Sequence, residues 1–173
     1  MIFVAGVHGV GKTYFCNTLS NKSNLNVYSA SKLISEIKNE ENNVDKTVKA
    51  ISNNQTYLIS AIERIKDQNF ILDGHFCLID TKGLVQKIPQ ETFMKLSIQI
   101  ILVLYDEVHN ILRRLEKRDG IKHDYDVLEK LQQTELEYAK EISSIINKPI
   151  LFIKFSEDYS GVMESIIKDQ NYT

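Results

Sequence analysis

The feature that most narrows what this chain can fold into is an apolar tetrapeptide running straight into a glycine-rich octapeptide. Residues 2–5 read IFVA and residues 6–13 read GVHGVGKT. A short uninterrupted apolar run suits a strand buried on both faces, as in a parallel sheet. The octapeptide matches G-x-x-x-x-G-K-[ST], a loop that joins such a strand to a helix. Gly6, Gly9 and Gly11 let the backbone curl so that successive N–H groups point at one anion. The N-terminus of the following helix adds partial positive charge. Lys12 is then placed for the β- and γ-phosphates of a nucleotide, and the Thr13 hydroxyl for Mg²⁺. A plain glycine turn explains neither residue. His8 falls in the variable part of the loop and reads as loop-shaping before it reads as catalytic. The expected nucleotide-binding set is Gly6, His8, Gly9, Val10, Gly11, Lys12, Thr13 and Tyr14.

Downstream, apolar strands alternate with helices. The periodicity predicts a helix over 12–20, a weak strand at 26–29 and a helix over 31–40 capped by Ser29 or Ser31. Residues 39–45 (NEENNVD) read as a polar loop, and Leu58, Ile59, Ile62 and Ile65 mark a further helix. FILD at 70–73 is a buried strand. Residues 76–88 read as a hairpin turning at Thr81-Lys82-Gly83, closed by Pro89 and a short helix at 90–96. IQIILVLY at 98–105 is the strongest strand. Helices at about 107–118 and 125–146, a strand opened by Pro149 and a terminal helix complete the pattern. This order predicts an α/β parallel sheet with right-handed crossovers.

Two further groups carry candidate chemistry. Asp73 ends the strand FILD, and ligands of open α/β sheets gather at the carboxyl ends of strands. There it would hold a water of Mg²⁺ or accept a proton; the plainer alternative is a turn cap before Gly74. His75 either orients the site or bonds backbone. Arg113, Arg114 and Arg118 are three of the chain's four arginines, the other being Arg64. They precede the polar, glycine-bearing stretch RDGIKHDYD. A lid of this kind would bring cations to a moving phosphoryl group and exclude water. The alternative is a solvated helix face paired with Glu116 and Asp119.

Composition excludes several other classes. The length of 173 residues fits one domain at roughly 100–200 residues. With 21 basic and 23 acidic residues the net charge is −2, which argues against binding duplex nucleic acid or an anionic membrane. Cys16 and Cys77 are the only cysteines, too few for a disulfide scaffold and without metal-ligand spacing. The apolar start lacks a basic n-region, and no stretch is long enough to span a bilayer. The expected location is the cytoplasm.

These residues resemble the small P-loop nucleotide kinases, most closely the archaeal-type adenylate kinases and their bacterial relatives. GVHGVGKT is similar to their phosphate loop, and ILDGHF at 71–76 to their aspartate–x–histidine segment. The stretch TKGLVQKIPQETFMKLSIQIILVLYDEVHNILRRLEKRD runs like theirs through hairpin, proline, fourth strand and basic lid helix, and ELEYAKEI looks like their post-lid helix. The resemblance implies a single three-layer α/β/α domain over 1–173. Its five-stranded parallel sheet would have the order 2-3-1-4-5, with an inserted β-hairpin, an acceptor-side helical region at about 29–66 and a mobile lid at about 113–126. It implies ATP and Mg²⁺ as cofactors and a nucleotide-like acceptor. Lys12, Asp73, Arg113, Arg114 and Arg118 would be the catalytic set, and Thr13 and Asp73 the metal ligands. Fold analogy places the donor base against Lys154 to Asp158.

The chain departs from that pattern in places. The acceptor-side region has only Arg64, with Lys32 or Lys46 as substitutes, and a lysine lacks the bidentate fork of an arginine. IKHDYD stands where relatives tend to carry another lid arginine, and Tyr28-Ser29 where small-alcohol kinases often place a catalytic Asp. Gln55 either faces an acceptor base or lies on a helix surface. The leading expectation is an ATP-dependent phosphotransferase of the nucleoside or nucleotide kinase type. The alternative is a nucleotide-binding ATPase or switch that acts through a protein partner, with the helix at 125–146 as a candidate surface.

Overall fold

The computed structural model describes residues 1–42 and 53–170. The chain runs through β1 (Ile2–Ala5), α1 (Lys12–Ser23), β2 (Asn26–Ser29), α2 (Ala30–Asn42), α3 (Asn53–Glu63) and β3 (Phe70–Asp73). It continues through β4 (Cys77–Ile79), β5 (Val85–Lys87), α4 (Gln90–Lys95), β6 (Ile100–Tyr105), α5 (Val108–Asp119), α6 (Tyr125–Ile146), β7 (Ile150–Lys154) and α7 (Ser160–Gln170). The five-stranded sheet has the order β2-β3-β1-β6-β7, and every pairing in it is parallel. Counting only these strands, the order is the expected 2-3-1-4-5.

The burial explains the order. Val4, Ala5, Ile71, Leu72, Ile101, Leu102 and Val103 are fully buried, so β1, β3 and β6 form the sheet's centre. Strands covered on both faces carry unbroken apolar runs. β2 and β7 occupy the edges, and their residues are mostly half-buried or exposed. α1 packs on β1, β2, β3 and α7, while α6 packs on β6, β7, α4 and α5. The chain steps from β1 to β2 in one direction across the sheet and from β6 to β7 in the other. Right-handed crossovers therefore put α1 and α6 on opposite faces, giving three layers.

The hairpin β4–β5 stands apart from the main sheet. Its turn follows from Asp80, whose carboxylate accepts from the Lys82 and Leu84 amides at 2.8 and 2.9 Å. An aromatic cluster anchors its base. Phe76 meets Phe3 edge-on at 5.2 Å and lies 4.8 Å from Phe93, and the Tyr138 hydroxyl donates to the Ile88 carbonyl at 2.7 Å. This fixes the segment 73–76 against β1, which matters for the site.

One expectation needs correction. Residues 39–42 belong to α2 rather than to a loop. Glutamate is a good helix former, and Glu40 accepts from Arg64 at 2.6 Å, so a polar run here is an exposed helix end. The remainder of that expected loop, and Lys46, lie outside the described residues. Among the described residues, no helix is long and apolar enough to cross a membrane.

Candidate nucleotide-binding site

A cavity of about 450 Å³ opens at the carboxyl ends of β1, β2 and β3. The phosphate loop and the start of α1 form one wall through His8, Gly9, Gly11, Lys12, Thr13 and Tyr14. Ser29, Ala30, Ser31, Asp73, Gly74, His75 and Leu78 form the facing wall, and Arg114 and Arg118 close a third side.

The loop conformation depends on its glycines. Gly6 has φ +140°, and a Cβ there would sit 2.5 Å from the Leu104 carbonyl oxygen. Gly11 has φ +117° and packs directly under the Phe155 ring. Two of the expected nucleotide-binding residues have backbone amides already committed inside the protein. The Gly6 N–H donates to Glu135 at 3.2 Å, and the Val10 N–H to the Val7 carbonyl at 3.3 Å, with the Val10 side chain fully buried.

Lys12 is buried, at 7% exposure. Its ammonium donates to the carbonyls of Gly6 at 2.8 Å and Val7 at 3.4 Å, and lies 3.9 Å from Asp73 Oδ1. Burial lowers its pKa, while the charges of Asp73 and Glu135 pull the other way. His75 Nε2 lies 3.4 Å from the same ammonium. An ammonium only donates, so this nitrogen accepts. Burial, then Lys12 and His8, hold the His75 pKa well below the usual imidazole range, so the ring is neutral. His8 stacks obliquely on it at 4.4 Å. Burial raises the Asp73 pKa and Lys12 opposes the rise.

The three arginines of α5 separate. Arg114 Nε donates to the Gly9 carbonyl at 2.8 Å, its Nη2 to Asp106 at 2.6 Å, and its guanidinium lies over Phe155 at 5.1 Å. Arg118 lines the cavity while bonded to Asp119 at 2.5 and 2.8 Å. Arg113 is exposed, donates to Asn110 at 3.2 Å and does not line the cavity. The reason is helical geometry. Positions 114 and 118 share a face, and 113 is turned about 100° from 114. Arg113→Ala is therefore expected to leave turnover within about twofold. Arg118→Ala is expected to lower kcat by about a hundredfold, the size of losing one cation beside a developing charge. Steady-state kinetics of the two variants checks this.

Two supporting residues, Glu135 and Asp106, escape a reading of the sequence, and a third, Phe155, was expected only as part of the segment 154–158. Glu135, on α6, is buried at 1% exposure. Its carboxylate accepts from the Gly6, Phe76 and Cys77 amides at 3.2, 2.9 and 2.6 Å. It thus ties the first residue of the phosphate loop to the segment that carries Asp73 and His75. Burial pushes its carboxyl up to about 7, against the pull of those amides and Lys12. Its signal was a lone carboxylate on the apolar stripe Leu128, Leu131, Tyr138, Ile142. Asp106, at the carboxyl end of β6, is also buried. Burial alone would raise its pKa, but bonds from Arg114, Ser156, Asn110 and the Glu107 amide hold it below the ordinary range. Phe155, just after β7, meets the Tyr14 ring edge-on at 6.1 Å. It belongs to the segment 154–158, whose Lys154 is instead engaged with Glu107 and Glu157.

Thr13 is exposed to the cavity and Asp73 lies across it, so two oxygen donors of the kind Mg²⁺ prefers face one space. Among the described residues, no group of three or more His, Cys, Asp or Glu could hold a metal without a ligand's help. The donor set fits an ion that arrives with phosphates.

The sheet order, the loop and its position together define a P-loop NTPase fold of the kind found in small kinases. The chain belongs to the family described as AAA domain, whose profile matches residues 5–132. Solved structures share its shape. A gluconokinase from Sinorhizobium meliloti 1021 superposes with a TM-score of 0.56 at 12% identity, over 99% of this chain and 95% of that one. A sugar kinase from Janibacter sp. HTCC2649 gives 0.55 at 14% identity, over 98% and 93%. No curated protein matches the sequence.

Proposed function

We propose that this protein is a magnesium-dependent phosphotransferase that moves the γ-phosphoryl group of ATP to a small acceptor. The observation that carries the reading is one cavity lined on one side by the phosphate loop and on the other by Asp73, with Arg114 and Arg118 between them. The kinase descriptions of the two solved neighbours support the same class.

Each residue then has a task. The free loop amides and Lys12 bind the phosphates. Thr13 and Asp73 would hold Mg²⁺, which neutralises phosphate charge when bound, with Asp73 acting through the metal's water shell. Arg118 stabilises charge on the transferred group. Arg114 and Asp106 brace the loop at Gly9, and neutral His75 keeps Lys12 oriented. On the same reading, α2 and α3 would flank the acceptor and the end of α5 would act as a lid.

The test is incubation with γ-labelled ATP, Mg²⁺ and a panel of hydroxyl and phosphate acceptors. Label is expected to move to an acceptor. Release as inorganic phosphate alone, at a rate that no acceptor changes, would favour the ATPase or switch reading.

A further inference from the structure

One buried polar atom has no partner. His123 Nε2, in the turn between α5 and α6, is shielded from solvent and makes no hydrogen bond. Among the described residues it is the only side-chain nitrogen or oxygen in that condition. Native proteins leave few such atoms, and each calls for a physical reason. An acceptor stands close by: Asp119 Oδ2 lies 3.3 Å away, within ion-pair reach but without the alignment of a hydrogen bond.

That carboxylate is already engaged. Arg118 Nε donates to Asp119 Oδ1 at 2.5 Å and Arg118 Nη2 to Oδ2 at 2.8 Å. Helix electrostatics do not favour an acid there. Asp119 is the last residue of α5, where the partial negative end of the helix suits Lys117 and Arg118 but opposes a carboxylate. The Arg118 guanidinium compensates, holding the Asp119 carboxyl below its ordinary range. Gly120, at φ +71°, then turns the chain so that His123 comes back to Asp119.

The pair borders the first cavity through Arg118. Burial, Lys12 and Arg118 lower the pKa of His8 in the phosphate loop and Asp119 raises it, so both charges are felt at the loop. Phosphates entering the cavity compete with Asp119 for one guanidinium, because the fork that fits two carboxylate oxygens also fits two phosphate oxygens. Exposed ion pairs are weak, and Arg118 is 58% exposed, so the exchange costs little. It does strand a carboxylate beside the incoming anion. His123 Nε2 is the group placed to take that carboxylate over.

Resting on the phosphotransferase reading's placement of Arg118 at the phosphates, we propose that Asp119 and His123 are positioning residues that decide when Arg118 is free. Asp119 parks the guanidinium before nucleotide binds, and His123 takes over Asp119 when phosphate claims Arg118.

The experiment compares Asp119→Asn, His123→Ala and Arg118→Ala, singly and in pairs, by the Kd of a fluorescent ATP analogue with Mg²⁺. Asp119→Asn is expected to lower Kd about threefold, the size of an exposed ion pair, and His123→Ala to raise it about threefold. Loss of packing at two neighbouring positions would not give opposite signs. Both changes are expected to vanish in the Arg118→Ala background, and the His123→Ala change to vanish in Asp119→Asn as well. A Kd for Asp119→Asn at or above the parent's overturns the inference. So does a His123→Ala protein that binds like the parent. A change that persists without Arg118 overturns it too, since a general field of the Asp119 charge would then suffice. These outcomes leave the phosphotransferase reading standing. The expected Kd pattern, with γ-label released only to water whatever the acceptor, would instead count against that reading and keep this one.

Discussion

Replacing Lys12 with alanine is expected to lower phosphoryl transfer by about a hundredfold to a thousandfold, while the protein stays folded. The loss follows from removing the one buried cation that the phosphate loop turns into the cavity. The survival of the fold follows from the same burial. The Lys12 ammonium is desolvated, which lowers its pKa, and it is compensated by two carbonyls, a neutral imidazole and a carboxylate 3.9 Å away. Removing one partner of a buried pair can cost about 3–5 kcal/mol by stranding the other, but Asp73 borders the open cavity and its burial already favours the protonated form, so it is neutralised rather than stranded. Lys12→Met fills more of the vacated volume and serves as the second variant. Circular dichroism and thermal melting read the fold, and single-turnover transfer reads the chemistry. A variant that melts like the parent and transfers phosphate at the parent's rate would remove Lys12 from the site.

The second large effect is on stability and falls at Glu135. Glu135→Ala leaves the Gly6, Phe76 and Cys77 amides without their acceptor in a buried place. At roughly 1–3 kcal/mol for each unsatisfied buried donor, a loss of about 3 kcal/mol or more is expected by urea unfolding. The pH dependence separates the charge from the bonds. The folded pKa of about 7 lies above the ordinary glutamate value of 4.5, so the folded state binds the proton more tightly. The stabilisation is then fully present below about 4.5 and is lost as pH rises through about 7. The parent's Tm is expected to fall over that window by more than that of Glu135→Gln, whose amide does not ionise there. Equal slopes in the two proteins would show that Glu135 titrates as an ordinary exposed carboxylate.

The layering was legible because the central strands are uninterrupted apolar runs. IFVA, FILD and IILVLY can be buried on both faces, and only a parallel sheet between helices offers that. The loop was legible because its chemistry is local: eight consecutive residues carry the turn, the cation and the hydroxyl. The hairpin turn was legible for the same reason, since Asp80 caps its own loop. What stayed hidden is non-local. Glu135 reaches Gly6 across 129 positions and Cys77 across 58, and nothing in the neighbourhood of ELEYAKEI names those partners. Phe155 packs on Gly11 only because β7 ends beside the loop. The arginines are a different case. Their separation into Arg113 on one side and Arg114 with Arg118 on the other follows from helical period alone. Counting them as one cluster concealed it.

The account's central claim is that the loop at residues 6–13 grips a nucleotide's phosphates through Lys12. Titration calorimetry of ATP into the intact protein, with Mg²⁺ present, tests it most directly. One saturable site per chain is expected, absent or at least tenfold weaker in Lys12→Ala. No heat from the parent protein, or the same affinity in both, would contradict it.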